Sequence, residues 1–531
     1  MSSTFAGVYK ALSGIQTSQL QLQVTGQNMT NVSTNGYTRQ RADVYSVGSS
    51  GNNMRYASTT AAVGAGVMAT GVSQLRDPYL DIRFRSENAK VGDTTTQLSA
   101  MSDIENVLDE VKTDGLEAQM KALVSQLQNL CEDAGNGVSE STVKTSASIL
   151  VNMFNNYSEQ LSSIRNQQKG YLKDNAVNKV NQLIGNISHL SEEIRMSEIS
   201  GSSALELEDQ RNSMLDELSQ YVNIEIQKNS VDIGSGRTVD ELSVYLVGAS
   251  GTKHTLINNE EYAKFGFGMG TSATTGKECV NVTLTDLSGS TKTINSELST
   301  GVFHGYLKIL NENGEYDAGF AVIDPVSYNP TGETSSASGH GIGYYQLSLD
   351  TLAQKLAAVM NAANSTSTEN KPLFASSVAG EQITASNIAL SSQWENSTGA
   401  YITTTKQPSG VEDNSKATDN ILAMIKEFST DIDFQTENGV SLFTGTFQEF
   451  VTNLSNTLGL EQGNISSQNN TYSTTLATID KQRLSVSSVD INEEGINLIM
   501  YNQAMTAACR FMTTLDESLD NVISKMGIVG R

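Results

Sequence analysis

Apolar residues between Leu116 and Ile194 return at alternating spacings of four and three. Leu116, Met120, Leu123, Leu127 and Leu130 make one stripe. Val143, Ala147, Leu150, Phe154, Tyr157, Leu161 and Ile164 make a second, and Ala176, Val180, Leu183, Ile187, Leu190 and Ile194 a third. Such spacing gathers apolar side chains on one helix face, as in bundles and coiled coils. Glu132-Asp133-Ala134-Gly135-Asn136-Gly137, between the first two stripes, has turn chemistry. Residues 79–324 and 409–531 contain no proline, so long helices are permitted there. The pattern predicts long antiparallel helices over residues 80–221.

The period changes near residue 222. Val222-x-Ile224-x-Ile226, Leu242-x-Val244-x-Leu246 and Val280-x-Val282-x-Leu284 alternate mostly with polar residues, between stretches rich in Gly, Ser and Thr. These are strand signals. Helical spacing returns with Tyr345, Leu349, Leu352, Leu356, Val359 and Ala363. A second strand-and-loop insertion is predicted over 365–416, around Pro372, Trp394 and Pro408, and helix from there to the end. The fold class expected is α+β, a long-helix bundle built from both ends of the chain with β-rich insertions in the middle. The divisions expected are 1–40, an assembly and export segment; 41–221, the first part of the helical domain; 222–310, a β-rich insertion; 311–364, a connection and returning helix; 365–416, a second insertion; 417–490, the second part of the helical domain; and 491–531, a terminal coiled-coil helix.

That terminal helix carries the strongest pattern. Leu498, Tyr501, Met505, Ala508, Met512, Leu515, Leu519, Val522, Met526 and Val529 keep the alternation without a miss, behind Asp490 and Glu493 as a helix-start signal. The stripe is narrow, so one partner face is expected. The first segment is a weaker version: Phe5, Val8, Leu12, Ile15, Leu22 and Met29 fit, and Gln19 and Gly26 do not. The two stripes either satisfy each other as a helical pair or form an assembly seam left unpaired in the free subunit. Periodicity alone does not choose. Each large apolar side chain buried contributes roughly 1.5–3 kcal/mol, so such a seam is able to drive strong assembly.

Composition narrows the function. Net charge is −24 and the pI about 4.6, which argues against nucleic acid or anionic membrane as a main partner. Apolar runs stay below the ~18 residues needed to span a bilayer, so no membrane insertion is expected. Cys131, Cys279 and Cys509 are far apart, and His189, His254, His304 and His340 are scattered without metal-ligand spacing. No carboxylate pair, nucleophile–histidine arrangement or phosphate loop stands out. We expect no catalysis, no metal and no cofactor.

Gln27-Asn28-Met29-Thr30-Asn31-Val32-Ser33-Thr34-Asn35-Gly36-Tyr37-Thr38-Arg39-Gln40 resembles the N-terminal signature of the flagellar axial family of rod, hook and hook-associated proteins. Gln27 stands where the first asparagine is common and Asn35 where proline is common, yet Asn35-Gly36 still supports a tight turn. The Arg39-Gln40 ending is closer to the hook-associated branch. Gly64-Ala65-Gly66-Val67 followed by Arg76-Asp77-Pro78-Tyr79-Leu80 is similar to the family's glycine-valine turn and arginine-led helix start. Asp209-Gln210-Arg211-Asn212 with Leu215-Asp216-Glu217-Leu218, Gly343-Tyr344-Tyr345 with Leu349-Asp350-Thr351-Leu352-Ala353, and Glu493-Glu494 through Gln503-Ala504 are similar to further family segments, in family order.

The resemblance implies Asn28, Asn31, Gly36, Tyr37, Arg39, Gln40, Asp209, Gln210 and Arg211 as mainly structural motif residues. It implies a subunit exported unfolded by the flagellar type III export apparatus and self-assembled in a ring at the distal end of the hook. The hook protein would lie below it and the next hook-associated junction protein above, and an export chaperone would hold its C-terminal helix. Another axial subunit of hook or rod type, or a secreted adhesin, are the alternatives. The long helical stretch 80–221 disfavours the hook protein.

Overall fold

The structure, a computed structural model, describes residues 5–48, 64–113, 115–234, 237–271, 278–311, 340–367, 369–397, 400–406, 417–436 and 441–525. Its largest part is a helical body. Helix α1 (Phe5–Thr30) belongs to the chain ends and is taken up below. The body starts with α2 (Pro78–Thr113), where proline at the first helical position leaves no hydrogen bond unmade. Next come α3 (Leu116–Glu132) and α4 (Gly137–Gly170), whose N-cap Asn136 accepts from Val138 N. The α3 stripe is buried as the spacing predicts, and Leu123, Leu127, Leu150 and Phe154 are fully enclosed.

From α4 the backbone continues without a break through a π-helical segment, Tyr171–Val177, into α5 (Asn178–Ser200). Ile164, Gln168, Leu172, Ala176 and Val180 come four apart here, and the last four are buried. An ordinary helix would carry such a run steadily off its face, because its period is 3.6. The i→i+5 turns keep it facing inward. Gly201, at φ 88, ends α5, and α6 (Leu205–Tyr221) follows.

Eleven or fewer residues make up each strand of the β lobe. Strands β3 (Ile224–Gly234), β4 (Arg237–Val247), β5 (Lys253–Asn258) and β6 (Glu261–Tyr262) form an antiparallel sheet in sequence order. Strands β7 (Lys264–Thr271), β8 (Glu278–Thr285) and β9 (Thr291–Thr293) form a second. Leu242, Val244 and Leu246, and likewise Val280, Val282 and Leu284, are buried on their inner faces. The lobe gives way to helix α7 (Val302–Asn311) inside the stretch expected to be β-rich.

The chain returns to the body as α8 (Ile342–Asn364). The pair β10 (Phe374–Ser376) and β11 (Ile388–Leu390) and the short α9 (Ser392–Glu395) lie over α4. Buried Glu140 of α4 fastens them by accepting from Trp394 Nε1 at 3.2 Å and Tyr401 N at 2.8 Å. Helix α10 (Asp419–Glu427), the pair β12 (Ile432–Gln435) and β13 (Ser441–Gly445), and α11 (Phe447–Ser487) complete the body. Thr446 and Glu449 form a capping box at the α11 start.

One apolar core runs from Ala100 of α2 to Leu458 of α11 and takes in α3–α8, both large sheets and α10. Beyond it, α2 and α11 still lie along each other, but the contacts turn polar. Gln462 Nε2 donates to Glu105 at 2.8 Å, Thr94 Oγ1 donates to Asn469 Oδ1 at 2.8 Å, and Lys90 Nζ sits 5.5 Å from the Tyr472 ring centroid. The histidines expected to be packed or surface residues include His304, which is buried against Asp93 at 2.9 Å.

Residues 41–74, placed in the first part of the helical domain from the sequence, contain strand instead. β1 (Gln40–Val47) and β2 (Gly66–Gln74) pair antiparallel as a two-stranded ribbon, with a register shift at Asp43/Val44. Among the described residues no helix is long and apolar enough to cross a membrane.

Candidate assembly interface

The first and last helices pack together. α1 runs antiparallel to α12 (Ile491–Asp520), whose N-cap Asp490 accepts from Asn492 N at 2.8 Å, as the start signal predicted. A Cβ at Gly7 would lie 3.1 Å from the Leu515 side chain, and one at Gly14 3.6 Å from Ala508. The stripe of α12 is thus laid against a face of α1 made of small residues. Ala11, Ser18 and Thr25, in step with those two glycines, are buried. The opposite flank of α1 meets the ribbon, where Ser13 Oγ accepts from Val67 N at 3.4 Å.

The seam residues divide accordingly. Leu498, Tyr501, Met505, Ala508, Met512, Leu515 and Leu519 are all half-buried, while Val522 is exposed. The apolar stripe read in α1 is not its packed face. Val8, Ile15 and Leu22 are half-buried and Leu12 is exposed, because they sit about one residue round the helix from Gly7, Ala11 and Gly14. The Phe5 side chain and Met526 lie outside the described residues. Nor is α12 one-sided. Met500, Ala504, Ala507 and Phe511 form a second stripe at spacings of four and three, and all are exposed, as are Ile496 and Ile499.

The family-motif residues meet where this pair joins the body. Buried Asn28 acts as a substitute strand neighbour: its Oδ1 accepts from Gln40 N and from the Tyr37 hydroxyl, both at 2.9 Å, and its Nδ2 donates to Gln40 O at 2.9 Å. Asn31 Nδ2 donates to Gln27 O at 3.0 Å where α1 ends. Gly36, at φ 80, makes the left-handed turn that glycine tolerates best. Gln40 Nε2 donates to Glu206 of α6 at 3.1 Å, and Thr38 N donates to Asp209 Oδ2 at 2.9 Å.

Arg39 spans the two chain ends. Its Nε donates to Glu494 at 2.7 Å, its Nη1 to Glu493 at 3.0 Å, and its backbone N to Ser487 O at 2.8 Å. Burial opposes its charge, but the hydrogen bonds and charges of Glu493 and Glu494 outweigh it and raise its pKa. Burial, then the carboxylates of Glu206, Asp209 and Glu494, push the Tyr37 phenol well above its usual range. Burial also raises Asp209 and lowers Arg211, which reaches Glu208 at 3.5 Å. Gln210 is exposed.

Most of these groups hold backbone or each other. The arrangement makes a joint with open apolar faces, suited to binding protein surfaces. In the sequence Glu493 reads as part of a helix-start signal and Glu494 as part of a family segment, neither as a partner of Arg39, which lies 455 residues from Glu494. Among the described residues no group of three metal-ligating side chains comes together.

Known proteins fit this architecture. A family model described as "Flagellar hook-associated protein FlgK helical domain" matches residues 101–371. Flagellar hook-associated protein 1 of Bacillus subtilis (strain 168) is 27% identical over 546 residues, covering 100% of both chains. The protein of the same name from Salmonella typhimurium is 25% identical over 266 residues, 48% of this chain and 47% of that one. In fold, the chain is similar to the flagellar hook junction protein FlgK from Burkholderia pseudomallei. The TM-score is 0.54 at 13% identity, over 76% of this chain and 100% of the other.

Proposed function

The chain belongs to the FlgK family of flagellar hook-associated proteins, and from that membership we propose how it does its work: the paired terminal helices bind identical neighbours and the parts above and below. It is a structural subunit of the bacterial flagellum that joins hook to filament. Its place is in the extracellular flagellum, in association with hook and filament components.

The finer statements rest on the helix pair. One observation carries them: after α1 and α12 have covered each other, Met500, Ala504, Ala507 and Phe511 of α12 and Leu12 of α1 remain exposed. In a ring at the distal end of the hook, one subunit's α12 stripe would pack on the α1 flank of the next. Contacts between two different faces repeat head to tail and close when the rotation allows. The hook protein would meet the ring from below and the next hook-associated junction protein from above, while the β lobe projects outward. Before assembly the chain would pass unfolded through the flagellar type III export apparatus. An export chaperone would cover the α12 stripe in place of α1, where Met505 and Met512 offer adaptable contacts.

The test is Phe511→Lys. Its side chain is 48% exposed in the subunit, so folding should be unaffected while a charge is set into the seam. Cells carrying it should grow hooks without filaments and shed filament protein into the medium. Ordinary filaments at normal expression would rule out the outer α12 stripe as the seam.

A further inference from the structure

We infer that the polar face of α6, through Asp209 and Asp216, positions the terminal helix pair: it is the common reference from which both chain ends take their heading.

Five charged side chains from four segments form an alternating chain. Arg76, in the link from β2 to α2, binds Asp81 of α2 through Nε and, at 3.2 Å, through Nη2. Asp81 Oδ1 lies 3.5 Å from Arg483 Nη1 of α11. The same nitrogen donates to Asp216 Oδ2 of α6 at 2.6 Å. Asp216 Oδ1 accepts from Arg85 Nε of α2 at 2.7 Å, and Arg85 Nη2 reaches Asn212 at 3.4 Å. Asp81 and Arg85 are buried, and Arg483 also lies over the Phe84 ring, 4.0 Å from its centroid.

Arg483 sits one turn before the end of α11, close to the α12 N-cap Asp490. Above it, α11 is seated by Phe447, Phe450, Val451, Leu454 and Leu458, but from there to Ser487 its one buried apolar residue among those described is Ile479. Apolar packing is therefore sparse along the lower half of α11, its heading there rests on polar contacts with α2, and the charge chain is the last of these before α12. The N-terminal side is indexed to the same face. Asp209 stands two turns before Asp216 on α6 and accepts from Thr38 N. Both strands of the joint are thus measured from one helix.

Charge networks at this depth are poor sources of stability, since desolvation offsets much of their attraction, but they reject wrong registers. A polar residue that fixes the register of a coiled coil has the same role. The heading matters because, under the function proposed above, each pair must present its flanks to neighbours at one angle.

The test is made on the monomer, so it stands apart from whether the α12 stripe is the seam. Cys509 is exposed and takes one spin label; Val138→Cys, at a site 73% exposed, takes the other, with Cys131 and Cys279 replaced by alanine. The parent should give a single narrow distance. The volume-matched triple variant Arg85→Met, Asp216→Leu, Arg483→Met should at least double the width while the melting of the body holds. The single variant Arg483→Lys, which keeps a charge against intact Asp81 and Asp216, should stay close to the narrow parent distance, and broadening as large as the triple variant's would overturn the inference. A triple variant as narrow as the parent overturns the inference. So does broadening that comes with an equal loss of body stability, since that marks the cluster as ordinary support.

Discussion

Phe154 of α4 and Phe511 of α12 occupy equivalent places in two long helices with the same alternation of fours and threes. Phe154 is 0% exposed and Phe511 48% exposed. In the body every stripe meets several partners: α4 is touched by α2, α3, α7, α8 and β11. In the arm formed by α1, α12 and the ribbon, α12 packs on α1, and among the described residues its other faces are largely exposed. The same pattern thus produces a finished core in one place and a half-finished one in the other. The difference lies in the partner. α3, α4 and α8 offer large aliphatic side chains in return, whereas α1 offers Gly7, Ala11, Gly14 and Ser18. Small residues let the two backbones approach and leave apolar flanks uncovered.

Four substitutions probe that contrast, in order of expected effect. Phe154→Ala should cost the body about 3–5 kcal/mol, the usual range for emptying a buried aromatic site. Denaturant unfolding followed by near-ultraviolet dichroism would read it, and a loss below 1 kcal/mol would contradict a close-packed core there. Arg39→Ala should lower the local stability of the arm by about 2–3 kcal/mol, because Glu494 is left buried and unpaired. Hydrogen exchange should rise in α1 and α12 while α4 stays protected; equal rises in both would erase the distinction between the regions. Asn28→Ala leaves the Gln40 N–H and C=O without their partner and should cost about 1–3 kcal/mol. The effect should stay in α1 and the ribbon, and exchange spreading into α3 would argue against it.

The smallest effect is one of pH. Burial raises the Asp209 pKa in the folded protein, so over that range the folded state holds more protons than the unfolded one. Stability falls as pH rises from the unfolded value through the folded one, and the deficit is complete above it. Asp209→Asn keeps an oxygen acceptor for Thr38 N and should flatten this slope in melts taken across the acid range. An unchanged slope would exclude Asp209 as its source.

Much of the body is legible in the sequence, because Leu, Ile, Val and Phe at strict spacings identify α3, α4, α5 and α8, and alternation identifies β4 and β8. The arm was half legible. The α12 stripe is strong in sequence. The packed face of α1 is invisible to a hydrophobic scan because glycine, alanine and serine carry little signal, and its more apolar flank gives the stronger pattern. The ribbon escaped because the register shift at Asp43/Val44 breaks the alternation that marks a strand. Arg39 and Asp216 give no local sign of their pairing. Their neighbours come from remote parts of the chain, and charges without a sequence-near partner look the same as a solvated face.

The π-helical turn at Tyr171–Val177 sets the azimuth of the rest of the rod. Upstream of it, α4 faces α3 and α8; downstream, α5 faces α6 and the strands of the β lobe. If the same residues were wound as ordinary helix, everything beyond Val177 would swing by roughly a third of a turn. The rod would keep its helicity and nearly its length, yet Leu183 and Ile187 would point away from the sheets they now support. The wide turn thus absorbs one spare residue between two modules: deleting one within Tyr171–Val177, Asn175 for example, would return an ordinary helix at nearly the same angle, whereas a deletion elsewhere in α4 or α5 would turn the far end by about 100°.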